Sequence, residues 1–279
     1  MWTLPFLHAE LDGTVYVDQP CGYEQKWVEH KVYKLKKALY RLKETPCAWY
    51  NYIEAYFLKE VFKKCEYEYT LFVKKAKEYI ILIVNLYVDD LIFTGNDELM
   101  FANFKSSMED EFALKNLGKM RYFLGLEVMK WTYGIFLCQK KYALTMLHRF
   151  GMDKSNPVQN PIVPGAKLSK DDIGVKVDKT YYKQIVGSLM YLTSTWPSMM
   201  FVTSLISKYM ENPTQLHLLE AKRVLRYLKG TIEFGIFYKM GGNKELLANI
   251  GSDYVGDLDD KKITSIYEFL LCSVVVAWS

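Results

Sequence analysis

Apolar residues crowd into two runs within residues 79–94, YIILIVNLYVDDLIFT, and the acidic doublet Asp89-Asp90 parts them. Short runs rich in β-branched and aromatic residues predict strands, and Gly95-Asn96-Asp97 adds turn chemistry after the second run. A strand–turn–strand hairpin follows. Downstream the period changes. Phe101, Phe104, Met108 and Phe112 fall at steps of three and four, which predicts a helix over 97–113. Upstream, Trp49, Ile53, Tyr56 and Phe57 keep helical spacing after Pro46. Leu35, Leu39 and Leu42 do the same within 31–43, which predicts an amphipathic helix with a cationic outer face. Residues 63–69 read as a polar connection and 70–73 as a short strand. A second hairpin is predicted from 122–129 and 134–138 around 130–133, then a helix over 139–150 stopped by Gly151. Residues 153–180 hold Pro157, Pro161 and Pro164 and no aromatic residue, which marks a linker. Three helices follow (181–195, 199–210 and 214–229), then strand-like 232–238 and 246–252 and a last apolar stretch. The class is α+β.

Composition narrows the possibilities. At 279 residues the chain suggests about two domains. Half of it is hydrophobic and 24% charged, which excludes a disordered tail, a collagen and a compositional coiled coil. Charge is 36 basic against 32 acidic residues, a net +4, so a nucleic-acid surface has to be sought locally. Five cysteines with no C-x-x-C pair and four isolated histidines argue against a disulfide framework and a structural zinc site. The apolar runs 79–88 and 269–278 fall short of the ~20 residues a membrane span needs. The amino terminus lacks the basic region of a signal peptide. The expectation is a protein of a reducing intracellular compartment, cytoplasmic or nuclear, not secreted and without a membrane partner.

Two features carry candidate chemistry. Asp89 and Asp90 are adjacent carboxylates, which at ~4 Å and an effective dielectric near 20 repel by about 4 kcal/mol. A divalent cation with a taste for hard oxygen ligands removes that repulsion. The bland alternative is that Asp is simply a good turn residue. The second feature is the cationic segment, where Lys34, Lys36, Lys37, Arg41 and Lys43 interleave with Tyr33 and Tyr40 and are followed by Trp49 and Tyr50. Cations beside stacking rings suit nucleic acid, although a charge run is also an ordinary solvated face. No G-x-S-x-G, Walker A or G-x-G-x-x-G pattern occurs. His148 and His217 on predicted helices read as surface or cap residues. Asp253, after an apolar strand, reads as a metal-binding carboxylate or a strand-end residue.

The motifs together resemble the polymerase segment of copia-type LTR retrotransposon Pol polyproteins, in family order over nearly the whole chain. They are Phe6-Leu7-His8, Val15 to Pro20, Lys34 to Tyr40, Pro46 with Ala48-Trp49-Tyr50, and Tyr87-Val88-Asp89-Asp90. Leu117-Gly118 with Tyr122-Phe123-Leu124-Gly125, Gly187-Ser188-Leu189-Met190-Tyr191-Leu192, the run from Ala221 to Thr231, and Ser252-Asp253 complete the set.

The resemblance implies a right-hand polymerase palm with incomplete fingers, a helical thumb or connection, and a truncated RNase H-like start. Its divisions are 1–152 reverse transcriptase, 153–180 linker, 181–245 helical connection and 246–279 RNase H-like segment. It implies Asp89 and Asp90 as catalytic magnesium (or manganese) carboxylates, Tyr87 in the nucleotide pocket and Tyr122, Phe123, Leu124 and Gly125 as primer grip. Asp253 would be the first nuclease metal ligand. Partners would be an RNA or DNA template-primer and deoxynucleotides. Departures are visible too. Met1 stands where the family has an aspartate, Arg41 replaces a glycine, and Trp196-Pro197-Ser198 replaces Arg-Pro-Asp. After Asp253 two residues are missing, and the nuclease segment ends at Ser279, before its other carboxylates. They lead to the expectation that this chain alone does not polymerise, the alternative being a non-catalytic nucleic-acid-binding relic or a domesticated transposon protein.

Overall fold

The computed structural model describes residues 2–3, 13–28, 30–37, 39, 42–43, 45–77, 79–88, 90–112, 115–163, 165, 168–170, 174–241, 245–253, 264–271 and 274–278. The chain divides into two units, Met1–Met120 and Arg121–Ser279.

In the first unit the elements are β1 (Trp2–Thr3), β2 (Tyr16–Val17), β3 (Tyr33–Lys34), α1 (Thr45–Lys59), β4 (Lys63–Lys64), β5 (Leu71–Ala76), β6 (Ile80–Tyr87), β7 (Asp90–Gly95), α2 (Glu98–Phe112) and β8 (Lys115–Asn116). Strands β4-β5-β6-β7 form an antiparallel sheet in that order, while β1 pairs with β8 and β2 with β3. Pro46 sits in the first turn of α1, where its missing N–H leaves no intrahelical bond unmade. The Asp97 carboxylate accepts the Met100 N–H at 2.6 Å and so starts α2. Alternation along β6 turns Leu82, Val84 and Leu86 inward, joined by Leu91 of β7. They meet Ile53 and Phe57 of α1 and Phe104, Met108 and Phe112 of α2 in one core. The Phe57 ring lies 4.9 Å from Phe72 and 5.0 Å from Phe62. Both helices cover the same face of the sheet. Gly95 permits the close strand approach at the base of the hairpin, since a Cβ there would meet the Ile81 carbonyl.

The expected helix over 31–43 does not form in the described residues. Lys34 pairs with Tyr16 and Tyr33 with Val17, and the Leu35 N–H donates to the Val15 carbonyl at 2.9 Å. The Gln19 amide adds bonds to the Val28 and Lys31 carbonyls at 2.7 and 3.0 Å. Six like charges with no acid at i+4 weaken a helix there, and a distant strand takes up the backbone groups instead. The polar connection 63–69 likewise contains a short strand, β4, paired with β5.

The second unit holds β9 (Tyr122–Phe123), β10 (Leu126–Trp131), β11 (Gly134–Cys138), α3 (Lys140–Arg149), α4 (Lys179–Leu192), a 3₁₀ turn Pro197–Met199, α5 (Met200–Ser207), α6 (Gln215–Gly230), β12 (Ile236–Lys239), β13 (Leu246–Asp253), β14 (Thr264–Leu271) and β15 (Val274–Trp278). One sheet has the order β12-β11-β10-β9 and the other β13-β14-β15. The first arm of the predicted second hairpin is broken into β9 and β10 by a tight turn at Leu124-Gly125. The helices share a core in which Tyr182, Ile185, Leu189, Val224 and Leu228 are fully enclosed. Asp178 caps α4 by accepting the Thr180 N–H at 2.8 Å. At the start of α6, His217 Nδ1 accepts the Thr214 N–H at 3.0 Å while Nε2 faces the Ser169 carbonyl at 3.0 Å. His217 is thus a buried cap. Arg226 and Lys229 of α6 donate to the carbonyls of Asn156 and Ser155, tying the proline-rich segment down.

Candidate active site

The β6–β7 ribbon positions the central carboxylate. Tyr87 and Asp90 are cross-strand partners, so the loop between them has two residues, Val88 and Asp89. Two-residue hairpins require a positive φ at the first loop position, and Val88 has φ 53. A β-branched residue rarely adopts that conformation, and holding it there costs of order 1–3 kcal/mol. The register also decides the face. Leu86 and Leu91 oppose each other and point at α1 and α2. Tyr87, Asp90, Asn85 and Ile92 therefore share the opposite face, away from both helices. Asp90 is half-buried there and Tyr87 is exposed. A carboxylate is a hard oxygen donor, the class of ligand that divalent cations such as magnesium take. Asp89 lies outside the described residues. No group of three or more His, Cys, Asp or Glu able to hold a metal occurs among the described residues.

The cationic residues do not converge on one helix. Lys34, Lys36, Lys37 and Lys43 are all exposed, Lys34 in β3 and Lys43 in a turn, and Arg41 lies outside the described residues. Exposed rings accompany β2 and β3: Tyr16, Tyr23, Tyr33 and Trp27, the last 89% exposed. Pairing of β2 with β3 sets Tyr16 opposite Lys34, and the exposed Tyr23 and Trp27 were not singled out in the sequence for want of a motif. Trp49 is a correction. Only 1% exposed, it packs edge-on to Phe112 with ring centres 5.5 Å apart, so its ring is part of the core and offers no surface to a base. Tyr50 is half-buried, donates its hydroxyl to the Tyr69 carbonyl at 2.6 Å and lies 5.3 Å from the Lys64 ammonium.

In the second unit Tyr122, Phe123, Leu124 and Gly125 lie together, the first two in β9 and the last two forming its turn with β10. Both turn residues have positive φ, 47 and 76. The Glu127 carboxylate accepts the Lys141 N–H at 2.7 Å at the start of α3, and the Lys141 ammonium lies 5.7 Å from the Tyr122 ring. Burial pushes the neighbouring Cys138 thiol up, which keeps it protonated and unreactive. Asp253 closes β13 opposite Thr264, and its side chain lies outside the described residues.

A family profile for reverse transcriptase (RNA-dependent DNA polymerase) matches residues 3–164. The chain belongs to the reverse-transcriptase family. It is 38% identical over 275 residues to the retrovirus-related Pol polyprotein from transposon RE1 of Arabidopsis thaliana, covering 98% of this chain and 19% of that protein. The corresponding polyprotein from transposon RE2 of the same plant is 37% identical over 275 residues, with the same coverage of each. That from transposon TNT 1-94 of Nicotiana tabacum is 32% identical over 283 residues, 98% of this chain and 21% of the relative. The chain is a copia-type retrotransposon reverse-transcriptase segment and spans about a fifth of the length of these relatives. No solved structure matches it. No helix among the described residues is long and apolar enough to cross a membrane.

Proposed function

We propose that the β6–β7 ribbon is the catalytic palm hairpin of template-directed DNA synthesis, with Asp89 and Asp90 as its metal carboxylates. The observation that carries this reading is Asp90 beside Tyr87 at the ribbon tip, on the face free of α1 and α2. The donor set suits magnesium or manganese, because carboxylate oxygens are hard ligands. Such ions supply an activated primer hydroxyl and charge neutralisation at the leaving pyrophosphate. Asp90 offers its carboxylate from a strand whose other face is anchored in the core, so it is held still. Tyr87 offers its exposed ring to an incoming deoxynucleotide. Lys34, Lys36, Lys37 and Lys43 bind template phosphates with Arg41, and the turn from Tyr122 to Gly125 grips the primer strand. In this reading residues 1–152 are the polymerase, 153–180 a linker, 181–245 a helical connection and 246–279 an RNase H-like segment with Asp253 as a metal ligand.

Primer extension on a recessed-end template with magnesium or manganese tests the proposal. Incorporation by the chain that disappears in Asp90→Asn and in Asp89→Asn supports it. Incorporation that survives both substitutions overturns the catalytic reading, and none by the unaltered chain, the outcome expected with Met1 where the family has an aspartate, favours binding without catalysis.

A second reading is binding without catalysis, favoured by the exposed rings and lysines around β2 and β3. Affinity for primer–template then falls with salt, and Lys36→Glu with Lys37→Glu lowers the log–log slope by about one for each phosphate no longer neutralised. An unchanged slope returns the segment to an ordinary solvated face.

A further inference from the structure

The turn at Leu124-Gly125 is held from outside its own hairpin. The Tyr191 hydroxyl, near the end of α4, donates to the Leu124 carbonyl. Gly125 leaves the space this needs, because a Cβ there would run into that hydroxyl. Tyr191 is itself fixed. The Tyr142 ring of α3 meets it edge to face at 4.8 Å, and the buried Gln139 amide donates to the Tyr191 carbonyl at 3.3 Å. Gln139 Oε1 in turn accepts the hydroxyls of Ser194 and Thr195 at 3.0 and 2.8 Å. A buried amide satisfied on both sides does not rotate freely, so the α3–α4 corner forms a rigid base. The hydroxyl acts at a residue two positions from Tyr122, whose ring stays exposed beside Lys141.

We propose that Tyr191 is a positioning residue that fixes the Tyr122–Gly125 turn against α4 and thereby sets the geometry in which this turn meets a primer strand. The inference rests on the reading of that turn as a primer grip. Without the hydroxyl bond, two consecutive residues of positive φ follow a β9 of only two residues. Such a tip samples several orientations, which lowers affinity for a partner that needs one.

The experiment compares the full chain with Tyr191→Phe, which keeps the ring packing and removes only the donor. Three measurements are made: amide hydrogen exchange across residues 122–127, thermal melting, and fluorescence-anisotropy binding of a recessed-end DNA duplex and of single-stranded template. The expected result is exchange faster by about tenfold at the turn, as for one lost hydrogen bond. Melting stays near that of the unaltered chain. The recessed-end duplex binds several-fold more weakly, while single strands bind as before. Unchanged exchange overturns the latch. Faster exchange with unchanged duplex affinity overturns the positioning role and leaves only a structural bond. An unaltered chain that binds no recessed-end duplex overturns the primer-grip reading itself and the positioning role with it, an outcome recognised without any variant.

Discussion

Two hairpin tips in this chain solve the same backbone problem in opposite ways. Each joins antiparallel strands through two residues, Val88-Asp89 in one and Leu124-Gly125 in the other. At the first tip a valine with φ 53 bears the strain, and long strands pinned to a core of Leu82, Val84, Leu86 and Leu91 hold it. At the second a glycine relieves part of the strain, but the β9 arm has only two residues, and a tyrosine from α4 does the holding. The difference teaches that a tip is made rigid either by the strands beneath it or by a contact above it. A tip held from beneath leaves its outer surface open to small ions and nucleotides. A tip held from the side couples its surface to the helix that holds it.

The largest effect should come from the charge at the first tip. Asp90→Asn should weaken manganese binding there by about three orders of magnitude, since a charge pair at ~4 Å and an effective dielectric of 20 is worth about 4 kcal/mol. Paramagnetic broadening of the Tyr87, Val88 and Leu91 amides measures it, with the amides of 122–126 as the silent control. Equal broadening at both tips would erase the distinction. Next, Gly125→Ala places a methyl against the Tyr191 hydroxyl at φ 76 and should cost about 1–3 kcal/mol in denaturant unfolding. Combined with Tyr191→Phe, the loss should be less than the sum, because the clashing oxygen is gone. Strict additivity would mean the two residues do not interact. The smallest effect is at Val88→Asn. Asparagine tolerates the left-handed region, so the variant should gain about 1 kcal/mol. A loss instead would show that the valine side chain has packing the strain argument omits.

How far the sequence could be read depended on how local the deciding forces were. The β6–β7 hairpin, α1 and α2 were legible because apolar alternation and helical spacing reflect a single buried face. Residues 31–43 were not. The spacing of Leu35, Leu39 and Leu42 satisfied a helical pattern, but the partner of that backbone lay at Val15 to Val17. Trp49 and Tyr50 are neighbours of similar chemistry, and only packing against Phe112 settles which one goes inside. The break at Leu124-Gly125 carried a weak signal in its glycine. The Tyr191 contact carried none beyond membership of the run from Gly187 to Leu192.

The C-terminal sheet makes a similar point. The apolar run 269–278 stands out in the sequence, but among the described residues the most exposed apolar side chains of that sheet are on β13, where Ile250 is 80% exposed and Leu246 and Leu247 are also exposed. β13 is an edge strand, and unpaired edges with apolar side chains invite association.

The order of residues alone determined the family, the acidic doublet between two strands and the helices whose apolar stripes repeat every three or four positions. These follow from local periodicity and from motif residues adjacent in the chain. Tertiary structure decided which face of the ribbon carries Asp90, that Trp49 is core, that Lys34 lies in a strand paired with β2, and that Tyr191 reaches Leu124. Each depends on pairing or packing between residues far apart in sequence, where the free energy resides in the meeting of two segments and neither segment alone encodes it.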